Sequence, residues 1–209
     1  MSRPSTTITR IAEKGSNDRQ ALDRLLDEIH IGHFGIVADG HPVVIPTAIV
    51  RNGDRVLVHG STGSRWMRML AEGVPTSLAV TAFDGLVIAR SAFESSMHYR
   101  SAVLFGRCTR QSDVAAAMAV VTEALLPGRA AELRASTTKE LAATMVLSMP
   151  IEHWSLKISD SWPEDPADDV DGPAWAGVIP ARITYDAPRA APDLHGGIAA
   201  PASVRAFAD

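Results

Sequence analysis

The chain has 209 residues, 46% of them hydrophobic, a formal charge of −4 and an isoelectric point near 6.0; that length buries a substantial core, and one domain over 1–209 is expected. The mild negative charge, with no Lys/Arg run to offset it, excludes the electrostatic footprint of a nucleic-acid binder, and the single cysteine, Cys108, excludes a disulfide framework or a cysteine-rich zinc site. No apolar run approaches the roughly 18–20 residues of a spanning helix and MSRPSTTITRIAEKG lacks an apolar leader, so a cytoplasmic chain without a membrane partner is expected.

Residues 1–15 carry no periodic pattern and read as an N-terminal extension. Asn17 with Gln20 resembles a capping box. Leu22, Leu25, Leu26 and Ile29 follow at i, i+3, i+4 and i+7, which predicts a short amphipathic helix lying on a sheet. His30 and His33 flank the next strand, but a metal there would lack a third ligand. Strands are predicted over 32–38, 42–51 and 55–59. They are joined at Asp39-Gly40 and Asn52-Gly53, dipeptides that supply the positive φ of two-residue hairpin turns.

After His59 the chain reads Gly60-Ser61-Thr62-Gly63-Ser64-Arg65, and Trp66, Met69 and Leu70 then fall at helical spacing. The first N–H groups of a helix lack partners and carry the positive end of its dipole. Hydroxyls, glycines and one guanidinium gathered there suit a phosphate. An ordinary N-cap by Ser61 or Ser64 beside a solvated arginine accounts for the same residues. Neither Gly-Lys-Ser/Thr nor G-x-G-x-x-G is present.

Gly73-Val74-Pro75 stops that helix. Segments 76–83, 86–90 and 99–108 read as strands, with Asp84-Gly85 as a third hairpin turn, and the six short strands point to a closed or partly closed antiparallel barrel. From Asp113 the period changes, and Val114, Met118, Val121 and Leu125 line one helical face. A second helix is predicted over 138–147, capped by Ser136 or Thr137, and further strands over 151–158 and 178–185. The acidic, proline-rich stretch 160–173 does not meet the spacing of a calcium loop and reads as solvated. Residues 186–209 are rich in Ala, Pro and Gly and are expected as an extended arm. The fold class is mainly β with packing helices.

No G-x-S-x-G elbow, H-E-x-x-H or distinctive carboxylate pair occurs, which leaves either a binding protein or a bound cofactor that carries the reactivity. The segments VVIPTAIVRNGDRVLVHGSTGSRWMRML, SAFESSMHYRSAVLFGRC and EHWSLKISDSWPEDPADDVDGPAWAGVIP, in that order, resemble the flavin-nucleotide-binding proteins related to pyridoxamine 5′-phosphate oxidase, especially the nitroimidazole-resistance branch. The likeness spans about residues 20–195.

The resemblance implies an FMN-binding split β-barrel, a homodimer with FMN at the subunit interface. It implies that Pro46, Thr47 and Ala48 set backbone groups beside the isoalloxazine edge, and that His59, Gly60, Ser61, Ser64 and Arg65 hold the phosphate. Tyr99 and Arg100 would contact flavin or phosphate, and Trp175 would cover the ring from the partner subunit. Plain core packing is the other reading of Trp175. The chain ends Ser203-Val204-Arg205-Ala206-Phe207-Ala208-Asp209, without the arginine-rich signature of the vitamin B6 oxidases, so that activity is not expected. His41 and His98 are candidate proton donors between which nothing selects. The expected function is a flavin-dependent oxidoreductase acting on a small organic substrate. The alternative is a non-catalytic flavin-, haem- or F420-binding module, with His30, His33, His98 and His153 as possible haem ligands.

Overall fold

The computed structural model describes residues 5–207, so the first four residues of the expected N-terminal extension and the last two of the C-terminal arm lie outside the described residues. The strands are β1 (Gly15–Ser16), β2 (Ile31–Ala38), β3 (His41–Asn52), β4 (Arg55–Ser61), β5 (Thr76–Ile88), β6 (Ser96–Gly106), β7 (Thr109–Arg110), β8 (Thr144–Pro150), β9 (His153–Ser159) and β10 (Gly177–Pro180). The helices are α1 (Arg19–Glu28), α2 (Arg65–Ala71), α3 (Val114–Leu125), α4 (Thr138–Ala143), α5 (Ala167–Val170) and α6 (Ala202–Arg205).

All pairings are antiparallel, in the order β1-β9-β6-β5-β2-β3-β4-β8-β7, with β10 added to the end of β5. The sheet curls around one core that draws Phe34 from β2, Leu78 from β5, Leu104 from β6, Leu147 from β8 and Leu156 from β9. β6 and β8 share no ladder, yet a Cβ on Gly106 would lie 3.1 Å from Met149 Cγ, so the curl brings the two ends of the sheet together without closing it. The result is a split, open barrel of mainly antiparallel strands with packing helices.

α1 plugs the barrel with Leu22, Leu25 and Leu26, each almost wholly buried and each contributing roughly 2 kcal/mol by leaving water. Its cap is Asp18, whose carboxylate accepts from the Gln20 N–H at 2.8 Å, and not the expected Asn17–Gln20 pair. α3 covers the outside of β3 and β4, where Val121 packs on Val50 and Leu57.

The first hairpin turns at Asp39-Gly40 as expected, both with positive φ. The second pairs Asn52 with Arg55, so its two-residue loop is Gly53-Asp54, one position later than the sequence suggested. Asp84-Gly85 is not a turn. β5 runs through it, pairing with β6 on both sides of a bulge between Phe83 and Gly85. Glycine is needed there because β10 crosses close by: a Cβ on Gly85 would sit 2.6 Å from the Ile179 carbonyl oxygen. The helix expected over 138–147 ends at Ala143, and 144–150 is strand β8. Met145 to Met149 are buried on both faces of the sheet, and the unbroken apolar stretch Met145-Val146-Leu147 suits a covered strand as well as a helix. The Thr137 cap holds, with Glu140 completing a capping box.

The strand expected over 178–185 is confined to Gly177–Pro180. The 160–173 loop is anchored as well as solvated: the Asp165 side chain, 1% exposed, accepts the Arg90 N–H at 2.7 Å and its guanidinium at 2.9 Å. The C-terminal arm returns to the protein through α6, where the Ser203 hydroxyl donates to Glu132, and through an edge-to-face contact of Tyr185 with Phe207.

Candidate functional site

The β3–β4 ladder holds only four pairs, from Asn52–Arg55 to Ile49–Val58. Beyond Ile49, β3 stays with β2, pairing Ala48 with Ile31, Thr47 with Gly32 and Pro46 with His33. Beyond Val58, β4 stays with β8, pairing His59 with Val146, Gly60 with Met145 and Ser61 with Thr144. The two strands part here, and the register sets 46–48 against 59–61 across a gap that no ladder bonds cross. Main-chain N–H and C=O groups on these facing edges are available to a planar ligand rich in amide-like groups.

β4 leads from this gap directly into α2. The Ser64 N–H donates to the Ser61 carbonyl at 3.0 Å, the Gly63 N–H to the Ser61 hydroxyl at 3.1 Å, and the Thr62 N–H to the Ala143 carbonyl at 3.0 Å. α2 presses on β4 so closely that a Cβ on Gly60 would lie 2.9 Å from Met67 Cγ. Neither serine caps the helix by its hydroxyl: that of Ser61 serves the tight turn, and that of Ser64 makes no cap bond. The first helical bond is from the Arg68 N–H to the Ser64 carbonyl, so the N–H groups of 65–67 emerge at the positive end of α2.

Arg65 reaches back over the gap to Asp39 in the β2–β3 turn, with Nη2 at 2.7 Å and 2.8 Å from the two carboxylate oxygens. Hydrogen bonding and the carboxylate charge raise the arginine's pKa. His59, half-buried, is shifted below its ordinary value because burial disfavours the imidazolium. At neutral pH it offers a hydrogen bond rather than a positive charge.

Tyr99 and Arg100 lie elsewhere on the sheet. Arg100 stands opposite Ala82 on β6, three strand spacings or about 14 Å from β3. Its guanidinium is held by Asp84 at 2.7 and 2.9 Å and by Glu28 at 2.7 and 2.9 Å, and these bonds raise its pKa strongly. In this arrangement its donors serve two carboxylates, not a phosphate. Tyr99 pairs with Phe83 and Ser159. Trp175, just before β10, is 66% exposed, which excludes plain core packing.

One feature was not anticipated from the sequence. Phe34, Ile36, Leu78 and Val80 face the core, so Ile31, His33, Gly35 and Val37 of β2 and Ser77, Ala79 and Thr81 of β5 occupy the opposite face. Ile31, Val37 and Val44 on that face are each at least 60% exposed. At one side it deepens into a groove of about 950 Å³ lined by Val37, Val44, Ser77, Phe105, Arg107 and His153. The signal was the contrast between small and large residues at alternate positions of Ser77-Leu78-Ala79-Val80-Thr81.

A family profile described as pyridoxamine 5′-phosphate oxidase matches residues 18–158. The structure of the FAD and haem binding protein from Mycobacterium smegmatis is similar at a TM-score of 0.91 and 49% identity, covering 93% of this chain and 97% of that one. The flavocytochrome Anf3 from Azotobacter vinelandii is similar at 0.91 and 34% identity, covering 97% and 95%. A putative 5-nitroimidazole antibiotic resistance protein from Bacteroides thetaiotaomicron shares the fold at 0.59 and 16% identity, covering 69% and 86%. No protein with a curated description matches. The parted β3 and β4 strands, the curled open sheet and the matched span together establish that the chain belongs to the pyridoxamine 5′-phosphate oxidase family.

Proposed function

We propose that this chain is a redox protein that binds a flavin nucleotide between β3 and β4 and carries haem as a second group, working as a homodimer on a small organic substrate or electron partner. The observation that carries the reading is the parting of β3 and β4 beside the positive end of α2. Main-chain groups of Pro46, Thr47 and Ala48 would meet the ring edge. Gly60, Ser61, Ser64 and Arg65 would hold the phosphate, with neutral His59 as a hydrogen-bond partner. Bound flavin supplies the hydride or electron chemistry. The chain's part is to orient the ring and exclude water, to which exposed Trp175, contributed by a second protomer, would add a cover.

FMN and FAD share the ring and phosphate that these residues would hold. The two relatives matched over nearly their whole length are named for FAD with haem and as a flavocytochrome, which favours FAD and the haem. Exposed Ile31, Val37 and Val44 are apolar surface that a second copy would cover. Buried Cys108, its thiol pushed up to about 12 by desolvation, suits a reducing cytoplasm.

The test is an absorption spectrum of freshly purified protein, identification of the chromophores released on denaturation, and the mass by sedimentation. Flavin bands and a Soret band in a dimer support the reading, and FAD against FMN is read from the released nucleotide. A colourless protein that takes up neither added flavin nor ferric haem overturns it.

A further inference from the structure

We propose that residues 181–200 form a clasp that closes over a second copy of this chain, seated on the uncovered face of β2 and β3. The inference rests on the homodimer reading above and adds to it the segment that holds the partner.

The segment contains no helix or strand, and every residue from 179 to 200 is exposed. It nevertheless carries Ile183, 79% exposed, with Tyr185, Leu194 and Ile198 also turned out of the protomer. Apolar side chains of this size, repeated along an extended segment, mark a surface made for contact. Its main chain is free in the same way. The Ala181 N–H donates to the Asp84 carbonyl at 2.9 Å, and from there to Ala200 no main-chain bond joins it to the barrel among the described residues. The bond from the Leu194 N–H to the Ala191 carbonyl is internal to it.

Both ends of the segment are nonetheless tied to the protomer. β10 pairs with β5 over Gly85–Ile88, and Ser203 of α6 donates to Glu132, beyond the end of α3. In the strand order β5-β2-β3-β4, β5 lies on one side of the β2–β3 face, and α3, over β3 and β4, lies on the other. The two ties therefore bracket the face on which Ile31, Val37 and Val44 are bare. A segment lying on that face would bury those residues together with Ile183, and all four stay exposed. Segment and face each lack a partner, side by side on one protomer.

A second copy answers both needs at once. Under a twofold axis each copy offers its face and its segment to the other, so two segments and two faces are covered in one closed assembly. Arg182 and Arg189 against Asp186 and Asp193 leave the segment without net charge, which suits a protein surface and not a polyanion. Twenty residues reach about 70 Å at most, against a diameter of about 40 Å for a domain of this length, so the segment is long enough to pass over a neighbour. Pro188 and Pro192 restrict its backbone and lower the entropy lost when it is held.

The test uses the full chain. Ile183→p-benzoylphenylalanine and, separately, Ile198→p-benzoylphenylalanine should on irradiation give a covalent dimer on a denaturing gel. The double variant Ile183→Asp with Ile198→Asp should raise the dimer dissociation constant at least ~10-fold in sedimentation equilibrium. Its circular dichroism should match wild type, because both side chains are already exposed in the protomer. A wild-type dimer that cross-links from neither position, or a dissociation constant unmoved by the double substitution, overturns the clasp and leaves the dimer reading in place. A wild-type chain that sediments as a monomer overturns both.

Discussion

Arg65 and Asp39 meet at 2.7 Å across the gap between β3 and β4, joining the start of α2 to the tip of the β2–β3 hairpin. Both side chains are largely exposed, so the pair adds little to stability. Its importance is that the guanidinium assigned to a phosphate already has a carboxylate to leave.

Asp39→Asn should therefore tighten flavin-nucleotide binding, and Arg65→Ala should weaken it about tenfold or more, the scale of one charge-assisted hydrogen bond. Fluorescence titration of the stripped protein at two salt concentrations would measure both. Equal affinity in all three proteins would remove Arg65 from the site.

Stability should fall with pH in a window set by His59. Burial lowers its folded pKa below 6.5, so as pH drops below 6.5 the unfolded chain takes up the proton first and folding loses free energy, until the folded-state value is passed. Above 6.5 the contribution is complete. Thermal unfolding between pH 5 and 7.5 should show this slope in wild type and a shallower one in His59→Gln; parallel curves would contradict it.

Gly85→Val should detach β10. The added Cβ would fall 2.6 Å from the Ile179 carbonyl oxygen, a backbone atom that cannot swing aside. A loss of roughly 1–3 kcal/mol is expected, with faster amide exchange across 177–180 and little change at Leu78 or Leu104. Unchanged exchange at β10 would mean that the bulge adapts.

Asp165→Ala should cost about 3 kcal/mol, because it leaves the partly buried Arg90 guanidinium without its counter-charge and the Arg90 N–H without an acceptor. Limited proteolysis within 160–173 should accelerate. A loop as resistant as wild type would show that other contacts hold it.

How much of this was legible in the sequence depended on the range of the interaction concerned. Asp39-Gly40 was readable because a turn is a contract among four neighbouring residues. Asp84-Gly85 carried the same local signal, but β6 on one side and β10 some ninety residues on in the chain override it. Thr144 to Leu147 was misread as helix because Met145, Val146 and Leu147 are apolar in succession, without alternation, and only the tertiary setting, β4 on one edge and β7 on the other, distinguishes strand from helix. The candidate site splits along the same line. Segments 46–48 and 59–65 come together because consecutive strands bracket them, whereas the two carboxylates holding Arg100 are 16 and 72 residues away in sequence and no motif around Tyr99-Arg100 announces them.

The sheet path begins and ends in strands of two residues, Gly15–Ser16 and Thr109–Arg110. An incoming chain that tries to extend the sheet sideways finds a template too short to zip onto, which is how natural sheets discourage runaway ribbons and fibrils. Stickiness is left to the broad flat side around His33, where a contact consumes the surface it uses and growth stops.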